Sequence, residues 1–336
     1  MSRLPRIKTH LSFVLAILSG VTTLTLSTAA FAEDQLRSLT VFPSSDATAQ
    51  LYERFVKLVN ERGKGKIKIS VIGGPEIVPG FQQTEAVARG SIDMTYAPIS
   101  YSLGSMPEAD AWVGSNLPPS VQRENGGFAL FQEIAAKRLK IHVLARFAPA
   151  APLNVFLINK PKLKADGEID LSGLRLRASP LYNAFFEKMG ATPVTIPVPD
   201  VYTGLERGTF DGMAYPPSAM EGWSWDRFLK YRIEPGFMQS DLGIYINPTK
   251  WAALSADSKK ILTDTAVEFE GTSYKEWQDM TASMNAKFDK QGMKAIVLEG
   301  AARDAYLKTA YDSVWNRLKA SGSPDYEKLR AHYFAD

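Results

Sequence analysis

The sequence predicts an α/β protein of two lobes that face each other across a cleft, and three observations predict it. A helix stopped by glycine and followed by an Asp-containing strand occurs at QQTEAVARG–SIDMTYAPIS (Gln82 to Ser100). It recurs at VYTGLERG–TFDGMAY (Val201 to Tyr215), which is common α/β punctuation. With 45% hydrophobic residues over 336 positions, the chain exceeds the comfortable size of one core, so two lobes on similar plans are expected and not a short-period repeat. The chain also contains no cysteine, so it cannot be stapled by disulfides or hold thiolate metal sites and must fold on its apolar core.

The elements follow in order. Residues 1–32 have a basic start (Arg3, Arg6, Lys8), an apolar run from about Leu11 to Leu26, and small residues at Ala30 and Ala32. That is a secretory signal peptide with cleavage after Ala32; Ser19, Gly20, Thr22 and Thr23 interrupt the run and make a membrane anchor the weaker reading. Without this leader the basic excess disappears, which argues against nucleic acid as a partner. SLTVF (Ser38 to Phe42) is a short strand, and Leu51, Phe55, Leu58 and Val59 mark a helix over Ala47 to Glu61 with Ser45 and Asp46 available as caps. KIKISVI (Lys66 to Ile72) alternates as a strand and leads into the turn Gly73 to Glu76. Another helix and strand occupy Glu124 to Phe147.

In the middle of the chain, VFLIN (Val155 to Asn159), GLRLRA (Gly173 to Ala178) and VTIPV (Val194 to Val198) read as strands, and LYNAFFEKMG (Leu181 to Gly190) as a helix. Pro107 to Arg123 and Pro161 to Asp170 are expected as connectors. Ser255 to Gly292 is dense in helix formers and free of proline, so it reads as one long helix or two consecutive ones capped at Ser255; a final helix is expected over about Ala301 to Ala320. These boundaries divide the chain into the signal peptide 1–32, lobe I from 33–152 plus about 242–285, and lobe II from 153–241 plus about 286–336 with the C-terminal helices.

Enzyme chemistry finds little support. Beyond the leader only His142 and His332 remain, neither placed for a triad, and no HExxH, Walker A, GxSxG or GxGxxG pattern occurs. Gly63 to Lys66 lacks phosphate-loop spacing and reads as a basic turn. Carboxylates are plentiful but none stand out as a glycosidase-like pair, and no calcium-loop pattern is present. Neither a cofactor nor a metal is expected.

The blocks Gly73 to Met94, Asp170 to Gly212 and Ile246 to Leu262, in this order and spacing, resemble the substrate-binding proteins of tripartite ATP-independent periplasmic (TRAP) transporters, the DctP-like family. The resemblance spans nearly the whole chain after the leader. It implies a two-lobed periplasmic binding protein of type II-like fold, with hinge strands and a long C-terminal bracing helix. It further implies a periplasmic receptor that closes on a small organic acid and delivers it to a sodium-coupled membrane permease.

The family's carboxylate-binding arginine falls on Arg177, whereas Arg175, earlier in the same strand, reads as structural. A planar guanidinium can hold a carboxylate bidentately and stays charged at physiological pH. Where dicarboxylate and sialic-acid binders tend to carry a second arginine, this chain has Leu153 and Asn154, and Met213 to Pro216 replace the family's Gln-Glu-Asn-Pro. A frequent aromatic becomes Val198. These changes imply a monocarboxylate with an apolar or aromatic body.

The ligand-binding residues expected are Arg177, Glu76, Tyr96, Tyr215, Asn154 and Trp225, with Trp223 the alternative to Trp225 and helix-cap or turn duty the alternative for Glu76. Asp93 and Asp211 read as turn and strand-end residues, and Trp251 as helix-start packing. The resemblance allows a monomer or a helix-exchanged dimer. An exported carboxylate enzyme and a ligand-presenting sensor partner on the same fold are the rival readings.

Overall fold

The computed structural model describes residues 33–147 and 152–335; the expected signal peptide lies outside them. The first lobe opens with β1 (Asp34–Thr40), α1 (Ala47–Arg62) and β2 (Ile67–Gly73), then α2 (Gln83–Ala88) and β3 (Met94–Pro98). The first strand therefore starts four residues before the apolar run that announced it. The expected connector after Pro107 contains two short helices, α3 (Asp110–Val113) and α4 (Pro119–Glu124), before α5 (Gly127–Arg138) and β4 (His142–Arg146).

The second lobe holds β5 (Pro152–Leu157), the small hairpin β6 (Lys162–Leu163) and β7 (Ile169–Asp170), β8 (Arg175–Ala178), α6 (Asn183–Lys188) and β9 (Thr192–Thr195). It continues through α7 (Val201–Glu206), β10 (Gly212–Tyr215), α8 (Pro217–Met220), β11 (Tyr231–Glu234) and β12 (Phe237–Gln239). The chain then returns to the first sheet through β13 (Leu242–Ile246), followed by α9 (Pro248–Ala253), α10 (Ala256–Lys290), β14 (Lys294–Val297), α11 (Gly300–Ala320) and α12 (Tyr326–Tyr333).

The two sheets repeat one plan. The first runs β2-β1-β3-β13-β4, and the second contains β5-β10-β8-β9 within β14-β11-β5-β10-β8-β9. In each, a central parallel strand (β1 or β8) lies between its two successors, and an antiparallel strand arrives from the other half of the chain. The strand order thus reverses beside β1 and β8, and the carboxyl ends of such strands are where α/β sheets leave a crevice. Gly90 and Gly208, both at positive φ, stop the helices before β3 and β10, as the repeated punctuation predicts.

The repeat extends to side chains. Asp93 accepts the backbone N–H of Arg37 at 2.8 Å and its Nε at 3.2 Å; Asp211 accepts the backbone N–H of Arg175 at 2.8 Å, with Arg175 Nη2 at 3.5 Å. Both aspartates therefore tie strand starts together, and Arg175 is structural. By the same register Arg177 corresponds to the buried Leu39, so only the second lobe carries a cation at this place.

The long helix is a single one of 35 residues, capped by Ser255, whose side chain accepts the N–H of Ser258. At 1.5 Å per residue it spans roughly 50 Å, enough to touch both halves. Phe269 packs on Phe55 and Phe147 of the first lobe, whereas Phe288 meets Phe156 of the second edge-on at 6.0 Å. The last helix departs from the expected division. Sequence order attached it to lobe II, but Tyr333 donates to the Gly127 carbonyl and accepts from Trp112, both in lobe I. Arg317 of α11 adds a tie between lobes: it grips Asp110 bidentately at 2.8 and 2.6 Å and also donates to the carbonyls of Pro180 and Leu181.

Candidate functional site

Between the lobes, where β1 and β8 end, lies a cavity of about 60 Å3 whose lining includes Arg177, Tyr215, Tyr101, Leu153, Asp241 and Trp277. At roughly 10–15 Å3 per water it has room for a few waters or one compact solute. Phe42, Leu181, Val198 and Leu242 add apolar wall.

Arg177 reaches this place because β8 is held between β9 and β10, beside the point where the strand order reverses, and Arg177 is near its carboxyl end. Its side chain is 2% exposed. Nη1 donates to Tyr182 Oη at 2.9 Å and Nη2 to the Ile196 carbonyl at 2.9 Å, while the Tyr182 hydroxyl donates to the Ala214 carbonyl at 2.7 Å. These bonds fix the plane of the fork. Its Nε is buried with no protein partner, and no Asp or Glu of the described residues forms an ion pair with it. Burying a cation without a counter-ion is costly, and an anion beside it offsets that cost.

The rest of the wall comes from both halves. Tyr215 packs edge-on against Trp225 at 4.9 Å, and Trp225 stacks on Trp223 at 5.1 Å. Tyr215 Oη and Trp223 Nε1, both of the second lobe, donate to Asp46 Oδ2 of the first, while Asp46 Oδ1 caps α1 by accepting the Thr48 N–H at 2.6 Å. Asp46 is fully buried, and that burial outweighs its hydrogen bonds and raises its pKa. This carboxylate is a clasp between the two lobes.

Of the six expected residues, the structure brings Arg177 and Tyr215 to the cavity wall; the other four are placed elsewhere. Asn154 faces away because side chains alternate along β5: Leu153 lines the cavity, while Asn154 Nδ2 donates to the Ile233 carbonyl at 2.8 Å. Tyr96 points into lobe I, stacked on Tyr52 at 5.0 Å, with its hydroxyl buried and unpaired. Trp225 supports Tyr215 from behind, fully buried. Glu76 closes its own turn by accepting the Gly74 N–H at 2.6 Å and lines a separate surface depression with Phe42 and Glu53, which is the cap-or-turn alternative.

Sequence reading missed Tyr101, Tyr182, Asp241 and Trp277. Tyr182 alone had a local signal, five residues after Arg177 at the start of the following helix; the others come from segments distant in sequence. His142 stacks on Trp251 at 3.9 Å, and burial, aided by Lys259, lowers its pKa to about 4. No group of three or more His, Cys, Asp or Glu placed to hold a metal occurs among the described residues. No helix among the described residues is long and apolar enough to cross a membrane.

Comparison with known proteins places this geometry in context. Residues 162–321 match the DctP family, described as bacterial extracellular solute-binding protein, family 7. The monocarboxylate 2-oxoacid-binding periplasmic protein of Nostoc sp. is 23% identical over 285 residues, covering 82% of this chain and 77% of that protein. Among solved structures, the Bordetella pertussis DctP7 receptor binding pyroglutamic acid superposes with a TM-score of 0.76 at 18% identity, covering 89% of this chain and 99% of that one. A TRAP solute-binding protein from Bordetella bronchiseptica, with copurified calcium and picolinate, gives 0.78 at 21% identity over 90% of both chains. These structural likenesses concern the fold: two lobes about a central cleft.

Proposed function

We propose, from the premise that this chain belongs to the bacterial extracellular solute-binding protein family 7, the DctP-like receptors of TRAP transporters, that it captures a small organic acid between its lobes in the periplasm and hands it to a membrane permease driven by sodium. The observation that carries this reading is Arg177, buried, oriented and without an acid partner in the wall of the interlobe cavity. A carboxylate bound by this fork supplies the missing counter-charge, and each charge-assisted bond contributes roughly 1.5–3 kcal/mol.

The ligand is a compact monocarboxylate with an apolar or aromatic body. Among the described residues Arg177 is the one cation in the cavity wall, and the second anchoring arginine of dicarboxylate binders is replaced here by Leu153. Tyr215 and Trp277 offer flat apolar surface for a ring. Trp225 and Asn154 act indirectly, one by supporting Tyr215 and the other by holding β5 to β11. The relatives named above are receptors for monocarboxylates or ring acids, which agrees with this reading.

The test is native mass spectrometry of the protein beginning at Glu33, followed by denaturing release of any retained solute, with Arg177→Met alongside. A retained organic acid absent from the variant supports the assignment and identifies the ligand. The same solute on both proteins removes Arg177 from the site.

A further inference from the structure

The cavity that holds Arg177 also holds a carboxylate. Asp241 lies where the chain crosses from β12 to β13, is 2% exposed, and lines the same wall. Its Oδ2 accepts the Ser100 N–H at 2.7 Å, and its backbone carbonyl accepts the Ile99 N–H at 3.0 Å, so its position is set by the loop after β3. No cation of the described residues is within ion-pair distance of it. Arg146, the cation that acts on it at longer range, donates to the Trp112 carbonyl instead.

We propose that Asp241 is a specificity residue: it selects monocarboxylates that present a hydroxyl or ring N–H opposite their carboxylate, and it rejects dicarboxylates. This rests on the receptor reading above. An acid bound to Arg177 balances that cation and leaves Asp241 as an anion facing the same small space. A ligand donor aimed at Asp241 satisfies it; a ligand lone pair or second carboxylate sets like against like in a dry cavity. A site built around a buried acceptor discriminates strongly against an analogue lacking the donor, because the acceptor is then left unpaired. Burial raises the Asp241 pKa while the Ser100 N–H opposes that rise. Sequence order hid this residue: Asp241 is 64 positions from Arg177.

The experiment uses isothermal titration with two isosteric pairs: pyroglutamate against its lactone 5-oxotetrahydrofuran-2-carboxylate, and 3-hydroxyphenylacetate against 3-methylphenylacetate, with glutarate as the dicarboxylate. Wild type should bind the donor-bearing member of whichever pair fits at least about tenfold more tightly and should bind glutarate at least as poorly as the donor-free acid. Asp241→Leu should bring the pair within about twofold. Asp241→Asn, which keeps the volume and a polar group, should relax the exclusion of glutarate. Equal binding of donor-bearing and donor-free acids by wild type, or a gap that survives in Asp241→Leu, overturns the Asp241 assignment and leaves the receptor reading intact. Wild type that binds none of the five acids, nor any other carboxylate in a thermal-shift screen, overturns the receptor reading and this inference with it.

Discussion

Replacing Arg177 with Met separates a binding role from a structural one. Methionine is unbranched and uncharged and reaches about as far as the arginine Nε, so the substitution removes the fork and keeps the stem that packs in the wall. On the binding side, a bidentate carboxylate loses two charge-assisted hydrogen bonds of roughly 1.5–3 kcal/mol each, which at about 1.4 kcal/mol per decade is a 10²- to 10⁴-fold rise in Kd. On the stability side two effects oppose each other. The Ile196 carbonyl loses a donor, at roughly 1–2 kcal/mol, while Tyr182 keeps the Ala214 carbonyl as its acceptor. Against that loss, a buried cation without an acid partner is removed, which is often neutral or stabilising. The ligand-free variant should therefore melt within a few degrees of wild type while titration calorimetry with the tightest acid of a monocarboxylate panel shows the affinity collapse. Binding within threefold of wild type, or a ligand-free melting temperature lowered by more than about 10 °C, would refute the reasoning.

Three further outcomes follow from the geometry. Asp46→Asn keeps an N-cap but replaces the oxygen that accepts Tyr215 and Trp223, so the cleft should open more readily: hydrogen exchange should rise over residues 212–225 and ligand affinity fall about tenfold, and unchanged exchange would remove the clasp. Arg317→Leu leaves the buried Asp110 unpaired and cuts a tie between lobes; breaking such a pair costs about 3–5 kcal/mol, readable in the denaturant midpoint, and a shift equivalent to under 1 kcal/mol would count against it. For His142, whose pKa falls to about 4 in the fold against 6.5 when unfolded, the unfolded state binds more protons between these values. Its contribution is therefore present above pH 6.5 and lost as pH falls toward 4, by roughly 2–3 kcal/mol. Relative to wild type, His142→Phe, which keeps the stack on Trp251, should lose less stability over that range, and parallel profiles would argue against it.

The legible part of the site was the part written locally. Arg177 stands out because a second arginine at the end of a short apolar strand, just before a proline and a helix, matches a known pattern. Tyr215 follows an Asp-Gly strand that repeats the one in the first lobe. Asn154 and Leu153 show the limit: both occupied the place of a missing arginine, and which of them faces the cavity depends on strand phase, where a one-residue difference reverses the face. Trp225 and Tyr96 were read as wall because they are aromatic near the right loops, but aromatic side chains serve core packing as readily as recognition. Glu76 sits in a turn short enough to satisfy its carboxylate by itself.

The sequence by itself determined the two-lobed α/β plan, the glycine-terminated helices and the long capped helix, and it singled out Arg177 as the proposed carboxylate anchor, because each depends on neighbours within a few residues or on a repeated order of blocks. Tertiary structure alone decided what surrounds Arg177 and how the lobes are held. Asp46 meets Tyr215 and Trp223, Asp241 shares a cavity wall with Arg177 without pairing with it, and α12 returns to lobe I across separations that periodicity cannot express. The physical reason is that burial and counter-charge belong to a site in space: Arg175 and Arg177 are two residues apart on one strand, yet one meets Asp211 at the exposed strand start and the other stands buried, without an acid, at the carboxyl end facing the cleft.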